Sequence, residues 1–312
     1  MFDIVMPLFN KEIYVARTIE SVLTQRFRDW KLYVVDDGSS DNGASVVEGF
    51  GDPRIALIRQ ENAGPGAARN TGIIAGSSDW IAFLDADDIW LPDHLKVLND
   101  LRQAFPGAAL IGNAYVHWTG GDVPVPPEAG KMREVRYFHE ASRGRAPFFT
   151  SSAAFSRSGI DHVGLLAPVV IGDEMDFWAR LALHGQVAAS TQPTVLYRVG
   201  TGGITDSSVA DDIVSLDQVS LPVATLLERI PGISDPQLKQ DVIDYIDFDA
   251  GLALTRALRT GRLANARRLR KLFIEGPRGK ARIAAWLARL PAPIGQKILH
   301  VIFASKQALQ SR

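Results

Sequence analysis

The stretch WIAFLDADDIWLPDHLKVLNDLRQAF, residues 80–105, contains the pattern that decides the fold. It opens with a short apolar run that predicts a buried strand, and it closes with helical periodicity behind a proline in the first turn. Between the two, Asp85, Asp87 and Asp88 follow the strand directly. Carboxylates this close repel one another unless water or a cation neutralises them. The stretch therefore predicts a strand, an acidic loop and a helix in succession.

The same alternation continues on both sides of this stretch. Apolar runs predict strands at 2–7, 31–37, 54–59, 80–85, 109–118 and 187–200, and helical spacing predicts helices at 11–25, 92–105 and 173–185 and from Pro65 onward. Strands that alternate with helices through short connections predict an α/β fold, a mostly parallel central sheet with helices on both faces. From about residue 206 only helical patterns occur. We therefore predict an α/β domain at 1–205 and a helical region at 206–312.

The composition is that of an ordinary folded protein and excludes several classes of site. The 312 residues are 46% hydrophobic and 22% charged, and none is cysteine. Disulfides, thiolate catalysis and cysteine-based zinc sites are thereby excluded. The N-terminal MFDIVMPLFNKE lacks the basic and apolar regions of a secretory signal, and no stretch approaches the ~18 uninterrupted apolar residues of a spanning helix. We expect a cytoplasmic protein.

The formal net charge of −1 conceals an uneven distribution. Residues 251–312 contain fourteen Lys and Arg but one acid, Glu275, so the rest of the chain is acidic. Within 256–303 the basic residues are mixed with Leu, Ile, Trp and Phe, a pattern typical of helices that lie on an anionic membrane surface. Helices packed on the protein with a solvated basic face produce the same pattern. Nucleic-acid binding is disfavoured because no nucleic-acid motif accompanies these residues.

Acidic residues stand at the carboxyl ends of two predicted strands. Asp36 and Asp37 end the second strand, and Asp85 and Asp87 follow the fourth. Ligands of open α/β sheets bind beyond these ends, where two carboxylates at i and i+2 can share one Mg²⁺ or Mn²⁺ with phosphate oxygens. The pattern indicates a site for a metal and a nucleotide diphosphate. Either pair by itself is also compatible with an ordinary turn or helix cap, which is what we expect of Asp88.

Three blocks in register resemble the nucleotide-binding half of the family 2 glycosyltransferases of the GT-A fold. They are PLFNKEIYVARTIESVLTQRFRDWKLYVVDDGSSD (7–41), NAGPGAARNTGI (62–73) and DWIAFLDADDIWLPDHL (79–95). The resemblance implies an inverting enzyme of bacterial surface-polysaccharide assembly. Its donor would be a nucleotide diphosphate sugar, a UDP-sugar above all, and its acceptor a saccharide or lipid-linked saccharide. The nucleotide-sugar half would occupy about 1–105 and the acceptor half about 106–205.

The resemblance also assigns roles to single residues. The donor would contact Pro7, Asn10, Asp36, Asp37, Arg69, Asn70 and Asp85. Among these, Asp37 would hydrogen-bond the base, while Asp36 would serve the ribose or only hold its loop. Arg69 would orient the donor or form an ion pair with a strand-end aspartate. Asp87, with Asp85 beside it, would bind Mn²⁺ or Mg²⁺.

The catalytic base is expected at the start of a later helix, in GDEMDFWARL (172–181). Inverting transfer requires a carboxylate that removes the proton of the acceptor hydroxyl. When the D-F-W residues are aligned with the family pattern, Glu174 takes the place of the family's catalytic Asp and Asp173 that of the preceding Glu. The order is reversed here, so either residue qualifies, and the alignment favours Glu174. Asp176 would support the helix start or contact the acceptor.

Two further features concern the surroundings of this site. The stretch YRVGTGGIT (197–205) resembles the loop that closes over the donor, but Gly200 and Thr201 stand where many relatives have histidine, so no histidine metal ligand is expected there. Trp90 and Trp178 would either stack on an acceptor sugar or pack in the core.

Other function classes fit the sequence less well. A haloacid-dehalogenase-type phosphatase needs a small hydroxyl residue soon after its second aspartate, where Ile89 and Trp90 stand. The glycine motifs of dinucleotide-binding dehydrogenases and P-loop ATPases are absent. The remaining alternative is a non-catalytic protein on the same fold that binds a sugar nucleotide or serves as a scaffold.

Overall fold

The computed structural model of the chain divides into two compact units. One contains Met1–Tyr137 and Ala146–Ile213, and the other contains Phe138–Arg145 and Val214–Arg312. The residues that the structure describes are 1–121, 130–145, 147–167, 172–201, 220–259, 266–267, 269–276, 285 and 288–289. The predicted boundary at residue 205 lies outside them, as does most of the basic segment 256–303.

The first unit is built of strands that alternate with helices. Its strands are β1 (Phe2–Leu8), β2 (Trp30–Asp36), β3 (Ile55–Arg59), β4 (Trp80–Phe83), β5 (Ile89–Trp90), β6 (Ala108–Trp118), β7 (Met132–Glu134), β8 (Ala153–Ser156) and β9 (Gln186–Arg198). Its helices are α1 (Glu12–Leu23), α2 (Gly43–Glu48), α3 (Pro65–Ala75), α4 (His94–Ala104), α6 (Arg157–Val163) and α7 (Asp173–His184). Helix α5 (Tyr137–Ala141) has its first residue in this unit and the others in the second unit. A 3-10 helix, Thr150–Ser152, precedes β8.

The strands form one sheet in the order β3-β2-β1-β4-β8-β6-β9-β5, and β7 pairs with β9 outside this path. The first four strands are parallel, as the alternating pattern predicts. β8 runs antiparallel to both β4 and β6, so the complete sheet is mixed, while the α/β fold class is confirmed. The short strands β5, β7 and β8 are not predicted, because they lack the longer apolar run that marks β4 and continues to Leu84.

The central strand β1 is buried along its length except at Pro7, which is half-buried. Helix α3 packs closely on this strand, because a Cβ added at Gly72 would overlap the Val5 side chain. The register pairs Leu8 with Asp36 and Val5 with Phe83. The carboxyl ends of β1, β2 and β4 therefore lie at one edge of the sheet, where the predicted site residues follow.

The described residues of the second unit beyond Ser220 are mainly helical, as predicted for the C-terminal region. Helix α8 (Leu221–Arg229) continues into a 3-10 helix, Ile230–Gly232, and helix α9 (Pro236–Arg259) follows. The Asp247 carboxylate on α9 accepts hydrogen bonds from the backbone of Ile274 and Glu275. No helix within the described residues is long and apolar enough to span a bilayer.

Candidate active site

The loops that follow β1 and β2 hold each other at the edge of the sheet. Asn10 has a φ of 52°, a left-handed conformation that asparagine tolerates better than most residues. Its backbone N–H donates to Ser39 Oγ at 3.1 Å, and its Oδ1 accepts from the backbone N–H of Ser40 at 2.8 Å. Asp36 Oδ1 accepts from the Ser39 N–H at 3.0 Å. Asn10 and Asp36 therefore shape this edge, and their contact with a nucleotide stays a prediction, as it does for Pro7.

Asp37 fixes the loop that leads into α3. Its Oδ1 accepts from Gln60 Nε2 at 2.7 Å and from the Ala63 N–H at 2.9 Å, and its Oδ2 accepts from the Gly64 N–H at 2.9 Å. The residue is only 2% exposed. Gly64 has a φ of 89°, where glycine avoids steric strain, and Pro65 then begins the helix. The loop contact is not evident from sequence, and the expected contact with a base stays a prediction.

Arg69 on α3 joins the donor side of the predicted site to the predicted base. Its guanidinium lies 2.8 Å from Asp85 Oδ1, 2.9 Å from Glu174 Oε1 and 3.3 Å from Asp173 Oδ2. The Arg69 side chain is 4% exposed, so these interactions are poorly screened by water. Burial alone would lower the pKa of Arg69, but its acidic partners, Glu174 above all, raise it. The GPGAARN segment, the D-A-D-D loop and the start of α7 are distant in the chain, and Arg69 connects them in one network.

Asp173 and Glu174 differ in exposure and in protonation. The Asp173 side chain is 1% exposed and that of Glu174 is 22% exposed. Burial, with the hydrogen bond to Glu174 and its charge, raises the pKa of Asp173 to about 8. Burial also opposes ionisation of Glu174, but attraction to Arg69 and the hydrogen bond from Asp173 lower its pKa to about 2. The pair therefore holds one proton, on Asp173, and Glu174 is its ionised and more accessible member.

Three nearby features accommodate the carboxyl groups of Asp173 and Glu174. Both residues lie in the first turn of α7, where the helix dipole stabilises a negative charge. A Cβ added at Gly66 would lie 2.8 Å from Asp173 Oδ2, so this glycine leaves room for the buried carboxyl group. Thr150 Oγ1 lies 3.4 Å from Glu174 Oε1 as a long hydrogen bond. These contacts fix the orientation of the carboxyl groups, and which one acts as base stays a prediction.

The three aspartates of the D-A-D-D loop have different partners. Asp85 pairs with Arg69, and Asp87 Oδ2 pairs with Lys11 Nζ at 2.7 Å. Asp88 is buried, and its carboxylate accepts hydrogen bonds from Ser151 Oγ at 2.5 Å and from the backbone of Arg198 at 2.9 Å. Burial and the charge of Asp85 raise the pKa of Asp88 well above its ordinary value. Asp88 thus connects the loop to β9 and to the 3-10 helix. We expected it only to form a turn or a helix cap, and these long-range contacts are additional.

The oxygens available at this loop fit a hard divalent cation. Asp85 Oδ2 and Asp87 Oδ1 accept no hydrogen bond from any residue that the structure describes. Mg²⁺ and Mn²⁺ prefer carboxylate oxygens and commonly take one or two of them together with phosphate oxygens and water. Across the described parts of the chain, no group of three or more His, Asp or Glu side chains forms a metal site by itself. Asp85 and Asp87 could therefore supply two ligands, and a donor would have to supply others.

Comparison with known proteins identifies the family. The family model described as Glycosyl transferase family 2 matches residues 3–164, more than half of the chain. This chain belongs to glycosyl transferase family 2. The succinoglycan biosynthesis protein ExoO of Rhizobium meliloti is 35% identical over 291 residues, which cover 84% of this chain and 78% of ExoO.

Other relatives are similar over a shorter range. The Escherichia coli protein named UDP-Glc:alpha-D-GlcNAc-diphosphoundecaprenol beta-1,3-glucosyltransferase WfgD is 44% identical over 98 residues. These residues cover 31% of this chain and 39% of WfgD, so less than half of WfgD is matched.

Two solved glycosyltransferase structures share the fold. TarS 1-349 of S. aureus, in complex with UDP-GlcNAc, has a TM-score of 0.72 at 15% identity, covering 98% of this chain and 92% of that one. The mannosyltransferase PcManGT of Pyrobaculum calidifontis, in complex with GDP-Man and Mn²⁺, has a TM-score of 0.59 at 19% identity, with coverages of 98% and 85%. At such low identity the likeness concerns the fold alone, and it confirms the expected GT-A architecture.

Three further residues of this family 2 chain that the sequence singles out have close contacts within the protein. Both polar groups of the Asn70 amide bond to the backbone of Leu166, at 2.9 and 3.0 Å. Asn70 thus holds the segment behind α6, and its donor contact stays a prediction. Trp90 is 1% exposed and Trp178 is 5% exposed, so both pack in the core and neither offers a ring face to an acceptor.

Another cluster of aromatic rings is less buried than these two tryptophans. Phe149 lies 4.4 Å from Tyr115 and 5.0 Å from Tyr197 between ring centroids, and His117 lies 5.3 Å from Tyr197. His117 is exposed and the other three rings are half-buried. Phe149 immediately precedes Thr150, the hydrogen-bond partner of Glu174. Sequence reasoning missed this cluster because its members are far apart along the chain.

Lys11 and Arg198 were also missed as site residues. Lys11 contacts the Asp87 carboxylate, and Arg198 Nε donates to the backbone carbonyl of Asp87 at 2.9 Å. Both residues stand inside blocks that carry the family resemblance, directly behind Asn10 and Tyr197. Their position in these blocks was the signal available, but no spacing rule connects either residue with Asp87.

Proposed function

We propose that this protein is a metal-dependent, inverting glycosyltransferase. It transfers a sugar from a nucleotide diphosphate sugar, in the first instance a UDP-sugar, to a saccharide or lipid-linked saccharide acceptor in polysaccharide biosynthesis. The observation that carries the proposal is the Arg69 network, which joins Asp85 of the D-x-D motif to Glu174 at the start of α7. Inverting transfer needs a donor site and a base next to each other, because the acceptor hydroxyl attacks as the leaving group departs.

The names of related proteins support the choice of substrates. TarS has been solved with UDP-GlcNAc and with UDP, and WfgD is named for a UDP-glucose donor and a diphosphoundecaprenol-linked acceptor. PcManGT has been solved with GDP-Man and Mn²⁺, which supports a divalent metal and keeps the nucleotide base open. The basic segment 256–303 would suit peripheral association with an anionic membrane, a proposal that rests on sequence alone.

Each of these residues would have a separate role in the displacement of the nucleoside diphosphate by the acceptor hydroxyl. Glu174 accepts the proton of the acceptor hydroxyl while the acceptor oxygen bonds to the anomeric carbon and the bond to the leaving diphosphate breaks. Arg69 keeps Glu174 ionised, and Asp173 retains its own proton and orients Glu174 by a hydrogen bond. Asp85 and Asp87 would hold the metal. When bound, Mg²⁺ or Mn²⁺ stabilises the negative charge that develops on the leaving diphosphate.

The acceptor is assigned to the side of the ring cluster. Tyr115, His117 and Tyr197 combine ring faces with polar edges, and Phe149 adds an apolar ring, a combination that suits a sugar ring. The connection of Phe149 through Thr150 to Glu174 would place the acceptor hydroxyl near the base. In this arrangement the D-x-D side serves the donor and the ring side serves the acceptor.

A thermal-shift panel tests the donor site. UDP-, GDP- and dTDP-sugars are added with and without Mn²⁺ to the wild-type protein, to Asp87→Asn and to Asp100→Asn, a control on α4 whose carboxylate pairs with Lys96 on the surface. We expect one class of nucleotide to raise Tm only with Mn²⁺, in the wild type and in Asp100→Asn but not in Asp87→Asn. Stabilisation by no nucleotide, or equal stabilisation of Asp87→Asn, refutes the site.

Release of the nucleotide separates the enzyme from a binding protein. With the stabilising sugar nucleotide and a panel of saccharide and lipid-linked acceptors, an enzyme releases the nucleoside diphosphate in step with formation of the glycosylated product. Tight binding without release in the presence or absence of every acceptor would support the scaffold alternative. Glu174→Gln should bind the nucleotide as the wild type does and release it far more slowly.

A further inference from the structure

Lys11 places a positive charge on the carboxylate that we assign to the metal. Its Nζ lies 2.7 Å from Asp87 Oδ2 and 3.3 Å from the backbone carbonyl of Thr201. The side chains of Lys11 and Asp87 are 17% and 15% exposed, so the pair is partly shielded from water. Lys11 stands at the N-cap of α1, while Asp87 follows β4 and Thr201 follows β9. The ammonium group thus joins three segments at one edge of the sheet.

No other cation among the described residues occupies this carboxylate. Arg69 pairs with Asp85, and Arg198 donates to the backbone carbonyl of Asp87, not to its side chain. Arg69 is held by three acidic side chains in a buried position, whereas Lys11 has one ion pair among the described residues and a flexible four-carbon stem. Separating Lys11 from Asp87 therefore costs less free energy than separating Arg69 from its acidic partners.

We propose that Lys11 is the internal counter-ion of Asp87 and competes with the divalent metal for it. An ammonium group and a divalent cation on one partly buried carboxylate repel each other strongly, so the metal binds by displacing Lys11. The diphosphate of the donor then offers the displaced ammonium a new negative partner. The inference rests on the proposed metal and nucleotide site and adds a property to it: metal alone binds weakly, and metal and nucleotide bind cooperatively.

Binding of Mn²⁺, without any turnover, tests this inference. Calorimetry or electron paramagnetic resonance measures the Mn²⁺ Kd of the wild type, Lys11→Met, Lys11→Gln, Lys11→Arg and Lys31→Met, first alone and then with saturating UDP. Lys31 is an exposed lysine on β2 and serves as the matched control for loss of one positive charge. Thermal unfolding of each variant confirms that it is folded, and two neutral variants are included so that misfolding of one does not end the test.

We expect both neutral Lys11 variants to bind Mn²⁺ alone at least fivefold more tightly than the wild type, a factor at the low end of site-to-site coupling. UDP should increase the Mn²⁺ affinity of the wild type by a factor at least fivefold larger than that in the neutral variants. Lys11→Arg and Lys31→Met should resemble the wild type in both respects.

The outcomes separate this inference from the proposed function. If the wild type binds Mn²⁺ with UDP but the neutral Lys11 variants have the same Mn²⁺ Kd and the same response to UDP, the role of Lys11 is refuted and the metal site stands. An equal gain in Lys31→Met would also refute it, because the effect would then be one of net charge. If the wild type binds no Mn²⁺ even with UDP, the proposed metal site itself is refuted.

Discussion

Replacement of Arg69 by Met tests the central network most directly. Methionine keeps much of the length of the side chain but removes the charge shared by Asp85, Asp173 and Glu174. Removing one partner of a buried ion pair costs about 3–5 kcal/mol, because the remaining charge loses its compensation. Asp173 keeps its proton, so the charges left without compensation in the variant are those of Asp85 and Glu174. Their side chains are 31% and 22% exposed and partly hydrated, so we expect one cost in this range rather than one for each partner.

We therefore expect Arg69→Met to lower the free energy of unfolding by about 3–5 kcal/mol near neutral pH. At 2–4 °C per kcal/mol, typical of domains of this size, the Tm should fall by roughly 6–20 °C. The assay is thermal unfolding followed by circular dichroism or calorimetry. A loss below about 1 kcal/mol would mean that the carboxylates do not depend on Arg69, and it would refute the reasoning.

The pH dependence of this loss follows from the pKa of Glu174. In the wild type this pKa is about 2, below its ordinary value of 4.5, so the stabilisation is present above 4.5 and disappears as the pH falls toward 2. Without Arg69, the largest influence that lowers the pKa of Glu174 is lost while the burial that raises it remains, so this pKa would rise. The deficit of the variant relative to the wild type would then grow as the pH rises toward that higher pKa. The deficit relative to the wild type should be larger near pH 7.5 than near pH 5, and a deficit that grows on acidification would contradict the network.

Arg180→Met is the matched control. Arg180 is also buried, but it pairs with one carboxylate, Asp176, at 2.7 Å, and donates to the backbone carbonyls of Val163 and Leu165. Its loss should also destabilise the protein, because the buried Asp176 carboxylate and the backbone carbonyls lose their partner. UDP–Mn²⁺ binding should be weakened by Arg69→Met and retained by Arg180→Met at a temperature where both variants are folded.

Further predictions concern the base and two close contacts. Glu174→Gln should lower kcat by about 10²–10⁴ because it removes the general base, whereas Asp173→Asn, which can still donate to Glu174, should retain more activity. Measured kcat values in the reverse order would assign the base to Asp173. Gly66→Ala should displace Asp173 and lower kcat together with Tm, since its Cβ would lie 2.8 Å from Asp173 Oδ2. Gly72→Ala, which would overlap Val5 in the core, should cost about 1–3 kcal/mol of stability and leave nucleotide affinity unchanged. Equal effects of the two glycine variants on kcat would contradict this distinction.

The parallel half of the sheet could be predicted because its signals are local. The apolar runs of β1 to β4 and the helical period between them depend only on neighbouring residues. The antiparallel position of β8 between β4 and β6 could not be predicted, because its pairing partners are segments far away in the chain. The same holds for β5, whose two residues pair with β9.

In the acidic loop after β4, too, some properties follow from local sequence and others depend on tertiary contacts. Its sequence determined that three carboxylates would crowd behind a strand end, and the neighbouring blocks indicated a donor site. Only the tertiary structure decided what neutralises each of them: Arg69 at Asp85, Lys11 at Asp87, and burial with hydrogen bonds at Asp88. The reason is physical, because the charge state of a carboxyl group depends on burial and on distances of a few ångströms. Those distances are set by α1, α3 and β9, which packing of the sheet brings to one edge.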